Sequence, residues 1–240
     1  MTELLYQTDS YLKEFDAIVT AVDAESRTIV LDQTAFYPGG GGQPNDTGQL
    51  SVDGGADYLV TKVKKQGADV LHFLGGETPL PQVGVQVHGQ IDWDKRYLLM
   101  RTHTAMHVLC GTVFRDYGAL VTGGNMEPGK GRMDFEFERM QGELVSEIEA
   151  AVNKEAQAGH DIRVEILPRE EAFQIPDLIR TKINLLPEGI MEVRTVEIVG
   201  LDLQADGGTH VKNTSEVGQI KVVDYKSKGA INKRIYIEVI

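Results

Sequence analysis

Near residue 91 the hydrophobic pattern changes period. From Asp16 to Gln90, apolar residues come in short runs, Ala17-Ile18-Val19, Thr28 to Leu31, Tyr58 to Val60, Val70 to Leu74 and Val83 to Val87, each bounded by turn residues. Runs of that length read as strands, and Asp23-Ala24-Glu25-Ser26, Asp53-Gly54-Gly55 and Gly75 to Pro79 read as the turns between them. Short strands hide their edges by closing on one another, so residues 1–90 are expected to form a small β-barrel. After Ile91-Asp92-Trp93-Asp94 the spacing turns helical. Leu98, Leu99, Met106, Leu109, Cys110 and Val113 share a helix between Lys95 and Tyr117. Leu144, Ile148, Ala151, Val152 and Ala156 mark a second, amphipathic helix over Glu143 to Ala158, with Gly159 as its stop. Ile162 to Ile166, Met191 to Leu203, Gly218 to Val223 and Arg234 to Val239 alternate as strands. Residues 91–240 are therefore expected to be a separate domain with helices packed on an antiparallel sheet, and the chain as a whole to be α+β.

The 240 residues suffice for two such domains, and 41% hydrophobic content gives them a core. No apolar run reaches the roughly 18 residues of a membrane span, and Met1 to Tyr6 has neither a basic nor an apolar leader segment, so a soluble, cytoplasmic protein without a membrane partner is expected. The single cysteine, Cys110, excludes an internal disulfide and leaves any metal site to histidine and carboxylates. A net charge of −12 argues against a protein that coats DNA. Residues 1–90 hold 5 basic against 12 acidic side chains and residues 91–210 hold 13 against 21, whereas residues 211–240 hold 6 against 3. That basic end comprises Lys212, Lys221, Lys226, Lys228, Lys233 and Arg234; it reads as a solvated edge-strand face or as a surface for RNA.

His103-Thr-Ala-Met-His107 puts two imidazoles at i and i+4 on one helix face. Asp206-Gly-Gly-Thr-His210, after a strand-like run, adds a carboxylate and a third histidine on a glycine-rich loop. Together they offer four N/O donors, a set suited to zinc, against the plainer readings of Asp206 as an Asx-turn residue and of the histidines as core or surface residues. A zinc-protease reading fails, because Thr104 stands where the catalytic glutamate of His-Glu-x-x-His would be. Gly124 to Lys130 has P-loop spacing, but Gly131 replaces the hydroxyl residue that would hold Mg²⁺; the segment is expected to be a turn before Arg132 to Phe137. The tract Gly39 to Gly42 follows a strand and leads to no helix, which disfavours dinucleotide binding. Flanked by Phe36, Tyr37 and two prolines, it reads as a fixed path with backbone amides open to a ligand.

Thr34 to Gly48, His103-x-x-x-His107 and Asp206-Gly-Gly-Thr-His210, in this order, resemble the editing region of alanyl-tRNA synthetases and its free-standing relatives, the AlaX-type trans-editing proteins, over nearly the whole chain. The resemblance implies an N-terminal barrel carrying the glycine-rich motif and an α+β editing domain like that of threonyl-tRNA synthetases. It implies a hydrolase that removes serine, and glycine with it, from tRNA of the alanine type. It implies zinc on His103, His107 and His210, with Asp206 where the family commonly has cysteine. By the same resemblance Thr34 and Gln43 are catalytic, and Gly40, Gly41, Gly42 and Thr209 bind substrate. Alanine is smaller than serine by one hydroxyl, so size cannot spare it, and Thr34 is the expected partner of that hydroxyl. Lys95, Arg96, Arg101, Lys130, Arg132 and the basic C-terminal strands are the expected RNA contacts. The rivals are a zinc hydrolase of a small ester or amide and a binding module with a structural zinc.

Overall fold

The computed structural model describes residues 1–137, 141–181 and 189–240. The chain forms two compact units, Met1–Tyr97 and Leu98–Ile240.

The first unit contains β1 (Glu3–Leu4), β2 (Glu14–Asp23), β3 (Thr28–Leu31), β4 (Gln33–Thr34), β5 (Gly48–Ser51), β6 (Asp57–Gln66), β7 (Asp69–Leu74) and β8 (Gln86–Ile91). Six of them close into a barrel in the order β2-β3-β7-β6-β5-β8, every pair antiparallel. β1 and β4 pair in parallel beside it. Alternation decides the inward set: Phe15, Ala17 and Val19 on β2 and Val70 and Leu74 on β7 join Ile29, Leu31, Phe36, Leu50 and Val60 in one core. His72 occupies the inward position between Val70 and Leu74 and is fully buried. The expected run Val83 to Val87 is only partly a strand. Val83 is 62% exposed in a turn; Gly84 and Val85 already exchange backbone hydrogen bonds with Val19 of β2, and the regular ladder of β8 begins at Gln86.

The second unit begins inside α1 (Trp93–Tyr117) and continues through β9 (Val121–Glu127), β10 (Lys130–Glu136), α2 (Gly142–Gln157), β11 (Ile162–Pro168), α3 (Arg169–Ala172), β12 (Glu192–Ile198), β13 (Asp202–Ala205), β14 (Ile220–Ser227) and β15 (Asn232–Val239). The strands form two antiparallel sheets, β14-β15-β10-β9 and β11-β12-β13. α2 lies on β14 through Val145, Ile148, Val152 and Ala156, and Asn153 exchanges two hydrogen bonds with the Ile220 backbone.

Three expectations are corrected here. α1 is not one-sided: every residue from Thr102 to Val113 is buried, because the helix touches both sheets. Met106 lies over Gly124 of β9 and Gly131 of β10, where an added Cβ would come within 3.3 and 3.0 Å of its side chain. On β13, Asp202 approaches Gly111 so closely that a Cβ there would sit 2.8 Å from the Asp202 Cβ. Second, Gly124 to Lys130 is not a loop: β9 runs to Glu127 and β10 starts at Lys130, with only Pro128-Gly129 between them. Third, Met191 to Leu203 folds back on itself as β12 and β13, reversed at Val199 to Leu201.

Candidate metal centre

His103 and His107 lie one turn apart on α1 and are 5% and 8% exposed. Asp206 and His210 lie on the loop that leaves β13. Gly111, one further turn along α1 from His107, has no side chain, and that gap lets β13 and its loop approach the histidine face. The loop is pinned at each end. Asp206 N–H donates to the Arg194 carbonyl at 3.0 Å, and Arg194 Nη1 donates back to the Asp206 carbonyl at 2.9 Å. At the far end Val211 N–H donates to Thr104 Oγ1 at 3.3 Å, and the same hydroxyl pairs with His210 Nδ1 at 3.1 Å. Gly208 N–H donates to Asp206 Oδ2 at 2.7 Å, so Asp206 does make the Asx turn while keeping its other oxygen on the histidine side.

One donor atom from each of His103, His107, Asp206 and His210 lies within 4.8 Å of all the others. His210 Nε2 is 3.0 Å from Asp206 Oδ2, and His103 Nε2 and His107 Nε2 are 3.6 and 4.0 Å from Asp206 Oδ1. A tetrahedral zinc with bonds of about 2.05 Å places its donors about 3.3 Å apart, so the observed spacings bracket what an ion requires. The protonation state also fits. Burial pushes His210 down to about 4 and His103 well below the usual imidazole range. Burial opposes ionisation of Asp206, yet His103, His210 and His107 together hold it well below the usual carboxylate range. At neutral pH His103 and His210 offer unprotonated imidazoles and Asp206 an anionic oxygen, the forms in which these groups ligate.

Thr34, Gln43 and Gly40 to Gly42 belong to the first unit. Gly39, Gly40, Gly41 and Gly42 all have positive φ, +82°, +139°, +57° and +89°, so the tract is a backbone path that side chains would strain. Gly40 and the 3% exposed Gln43 exchange backbone hydrogen bonds of 3.1 and 2.9 Å, and Tyr37 Oη donates to the Gly40 carbonyl at 3.0 Å. Asp46 accepts from Tyr37 N–H at 2.6 Å and is clasped by Arg96, which also donates to the Ala35 and Ser10 carbonyls. Thr34 is fully buried. Its hydroxyl accepts from Phe36 N–H at 3.1 Å and pairs with His72 Nε2 at 2.9 Å. In the second unit Thr209 is buried beside His210.

The expected RNA contacts are corrected in part. Arg96 is fully buried in its pair with Asp46, and Arg101 is spent on the Val217 and Ile240 carbonyls. In the basic C-terminal segment, Asp134 neutralises Arg234, Asp224 pairs with Lys226, and Lys233 caps the Gly229 and Ala230 carbonyls. The sequence reading missed Asp202, Arg194 and Thr104 as supports of the centre. Only Thr104 carried a signal, being adjacent to His103.

A profile described as class II (A) tRNA synthetases matches residues 5–95, and one for the second additional domain of threonyl and alanyl tRNA synthetases matches residues 193–236. The chain is 42% identical over 242 residues to the alanyl-tRNA editing protein AlaX-M of Saccharolobus solfataricus, covering 100% of this chain and 99% of that protein. It is 41% identical over 241 residues to AlaX-M of Methanosarcina acetivorans, with 98% of each covered. The alanine–tRNA ligase of Pyrococcus furiosus is 40% identical over 229 residues, which are 92% of this chain and 24% of that enzyme.

Proposed function

Because the chain belongs to the AlaX-M family of alanyl-tRNA editing proteins, we propose that it is a cytoplasmic deacylase acting in trans. Its substrate is the ester that joins serine, or glycine, to the terminal ribose of tRNA of the alanine type. The observation that carries this reading is the buried His103, His107, Asp206 and His210 cluster, whose donors fit zinc in number, spacing and chemical type. Zinc, when bound, supplies Lewis-acid polarisation of the ester carbonyl or a bound water of lowered pKa. An ester is already activated, so the protein's own share is mostly positioning. Gly41 and Gly42 offer backbone amides on a fixed path that the Gly40 N–H bond to the Gln43 carbonyl holds, and Gln43 of the first unit and Thr209 of the second each contribute substrate contacts. Thr34 reads the serine side chain: its hydroxyl has one hydrogen and two lone pairs, and Phe36 N–H and His72 Nε2 take two of these three positions, leaving one to pair with the serine hydroxyl, which can itself donate or accept. Alanine has nothing to place there.

The test is release of free amino acid from seryl-, glycyl- and alanyl-tRNA of the alanine type, with and without chelator and in His107→Ala. Release of serine but not alanine, abolished with the metal, is the expected result; no release from any of the three refutes the reading. A hydrolase of small esters is the rival, favoured by the engagement of Arg234 and Lys233 within the protein. Salt separates the two, since tRNA cleavage weakens steeply between about 50 and 200 mM salt and cleavage of a neutral ester does not.

A further inference from the structure

We propose that Asp202 is a positioning residue for metal binding: its Oδ2, 3.8 Å from His107 Nδ1, closes on the proton of that nitrogen when metal binds and so leaves Nε2 as that residue's donor atom. The inference rests on the reading of the cluster as a metal centre. The two ring nitrogens of His107 face different carboxylates. Nε2 lies 4.0 Å from Asp206 Oδ1, among the other donors, whereas Nδ1 lies 3.8 Å from Asp202 Oδ2. His107 Nδ1 is buried and makes no hydrogen bond. A neutral imidazole that ligates through Nε2 must carry its proton on Nδ1, and a buried N–H with no acceptor costs about 1–3 kcal/mol. Asp202 is placed to remove that cost.

Its own setting holds it there. The Asp202 side chain is 1% exposed. Oδ1 accepts from Arg180 Nε at 3.2 Å, and Oδ2 accepts from Gln204 Nε2, which also donates to Cys110 Sγ at 3.3 Å. The missing side chain at Gly111 is what admits Asp202 to the helix face one turn beyond His107. His210 has a matching arrangement, with Thr104 Oγ1 on Nδ1 and Nε2 on the donor side. Partners of this kind fix ring orientation and raise ligand basicity, and their loss typically weakens a metal site 10- to 100-fold.

The experiment measures zinc affinity of the full chain by competition with a chromophoric chelator for the wild type, Asp202→Asn and Arg180→Met, and records the imidazole ¹⁵N and ¹H resonances of the zinc-loaded wild type. Asp202→Asn should bind zinc roughly 10- to 100-fold more weakly. Arg180→Met, which removes one of the two groups that hold Asp202 but keeps its carboxylate, should lose less affinity than Asp202→Asn. His107 should show a downfield Nδ1 proton with the metal on Nε2. An affinity of Asp202→Asn within about twofold of wild type, an equal loss in Arg180→Met, or a His107 bound through Nδ1 overturns the proposal. If Asp202→Asn does not fold, the wild-type resonances alone decide. A wild type that binds no zinc refutes the metal reading itself, which is a distinguishable failure.

Discussion

Replacing Arg96 by methionine should unfold the first unit's glycine motif from within. Arg96 is fully buried and the Asp46 side chain is 1% exposed. Arg96 Nε meets both Asp46 oxygens at 3.0 Å, while Nη2 reaches Asp46 and, at 2.6 Å, the Ala35 carbonyl. Nη1 donates to the Ser10 carbonyl at 3.0 Å. Arg96→Met fills much of the same volume but strands a buried carboxylate whose remaining partner is Tyr37 N–H, and it leaves two carbonyls without this donor. Breaking a buried ion pair from one side costs about 3–5 kcal/mol, because the uncompensated charge stays in the interior. With a urea dependence of about 2 kcal/mol per molar, the midpoint should fall by roughly 2 M. Trp93 is the chain's only tryptophan and lies three residues before Arg96, so its fluorescence reports this transition. The double variant Asp46→Asn/Arg96→Met removes both charges and should be more stable than the two single losses sum to, by 1 kcal/mol or more. A loss under about 1 kcal/mol in Arg96→Met, or strict additivity in the double variant, would refute the argument.

His72 gives a pH signature: burial holds it at about 4, against about 6.5 in the unfolded chain, so below pH 6.5 the unfolded state gains protons that the folded state refuses. Stability should drop by about 3 kcal/mol between pH 6.5 and 4 on its account and level off below; His72→Asn should flatten that slope, and an unchanged slope counts against it. Gly111→Ala should cost about 1–3 kcal/mol and weaken zinc binding, since the new methyl meets the Asp202 Cβ at 2.8 Å; wild-type stability and affinity would contradict that packing. Thr34→Val should cut serine release about tenfold, the equivalent of 1.4 kcal/mol in the transition state, with zinc retained; an unchanged ratio of seryl to alanyl hydrolysis removes Thr34 from the site.

Where an element's identity depends on its own residues, the sequence was legible. Short apolar runs bounded by turn residues gave the barrel strands at 17–19, 28–31, 58–60 and 70–74, and period-3.6 spacing gave α1 and α2. Boundaries set by a turn or by a partner were not. β8 begins only after the turn at Val83-Gly84, whose Gly84 has a φ of +86°, and the reversal at Val199 to Leu201 breaks what looked like one strand because β13 returns along β12. The hydrophobic spacing of α1 suggested one buried face, but sheets touching it at Gly131 and at Gly111 bury the polar positions Thr102, His103, Thr104, His107 and Thr112 as well.

That burial is also why half of the centre could be read and half could not. His103 and His107 are neighbours on a helix and Asp206 and His210 neighbours on a loop, so each pair announced itself by spacing, and the structure brings the four together. The groups that tune them come from elsewhere: Asp202 is 95 positions from His107, and Thr104 is 106 from His210. The same holds for Thr34, whose hydroxyl is oriented by His72, 38 residues away on another strand. A buried imidazole cannot be left with both nitrogens unpaired without a cost of order 1 kcal/mol or more. Each histidine drawn into these interiors therefore calls for a polar partner from a different element, and only the folded chain identifies Thr34 and Thr104 as such partners and brings Asp202 to 3.8 Å from His107.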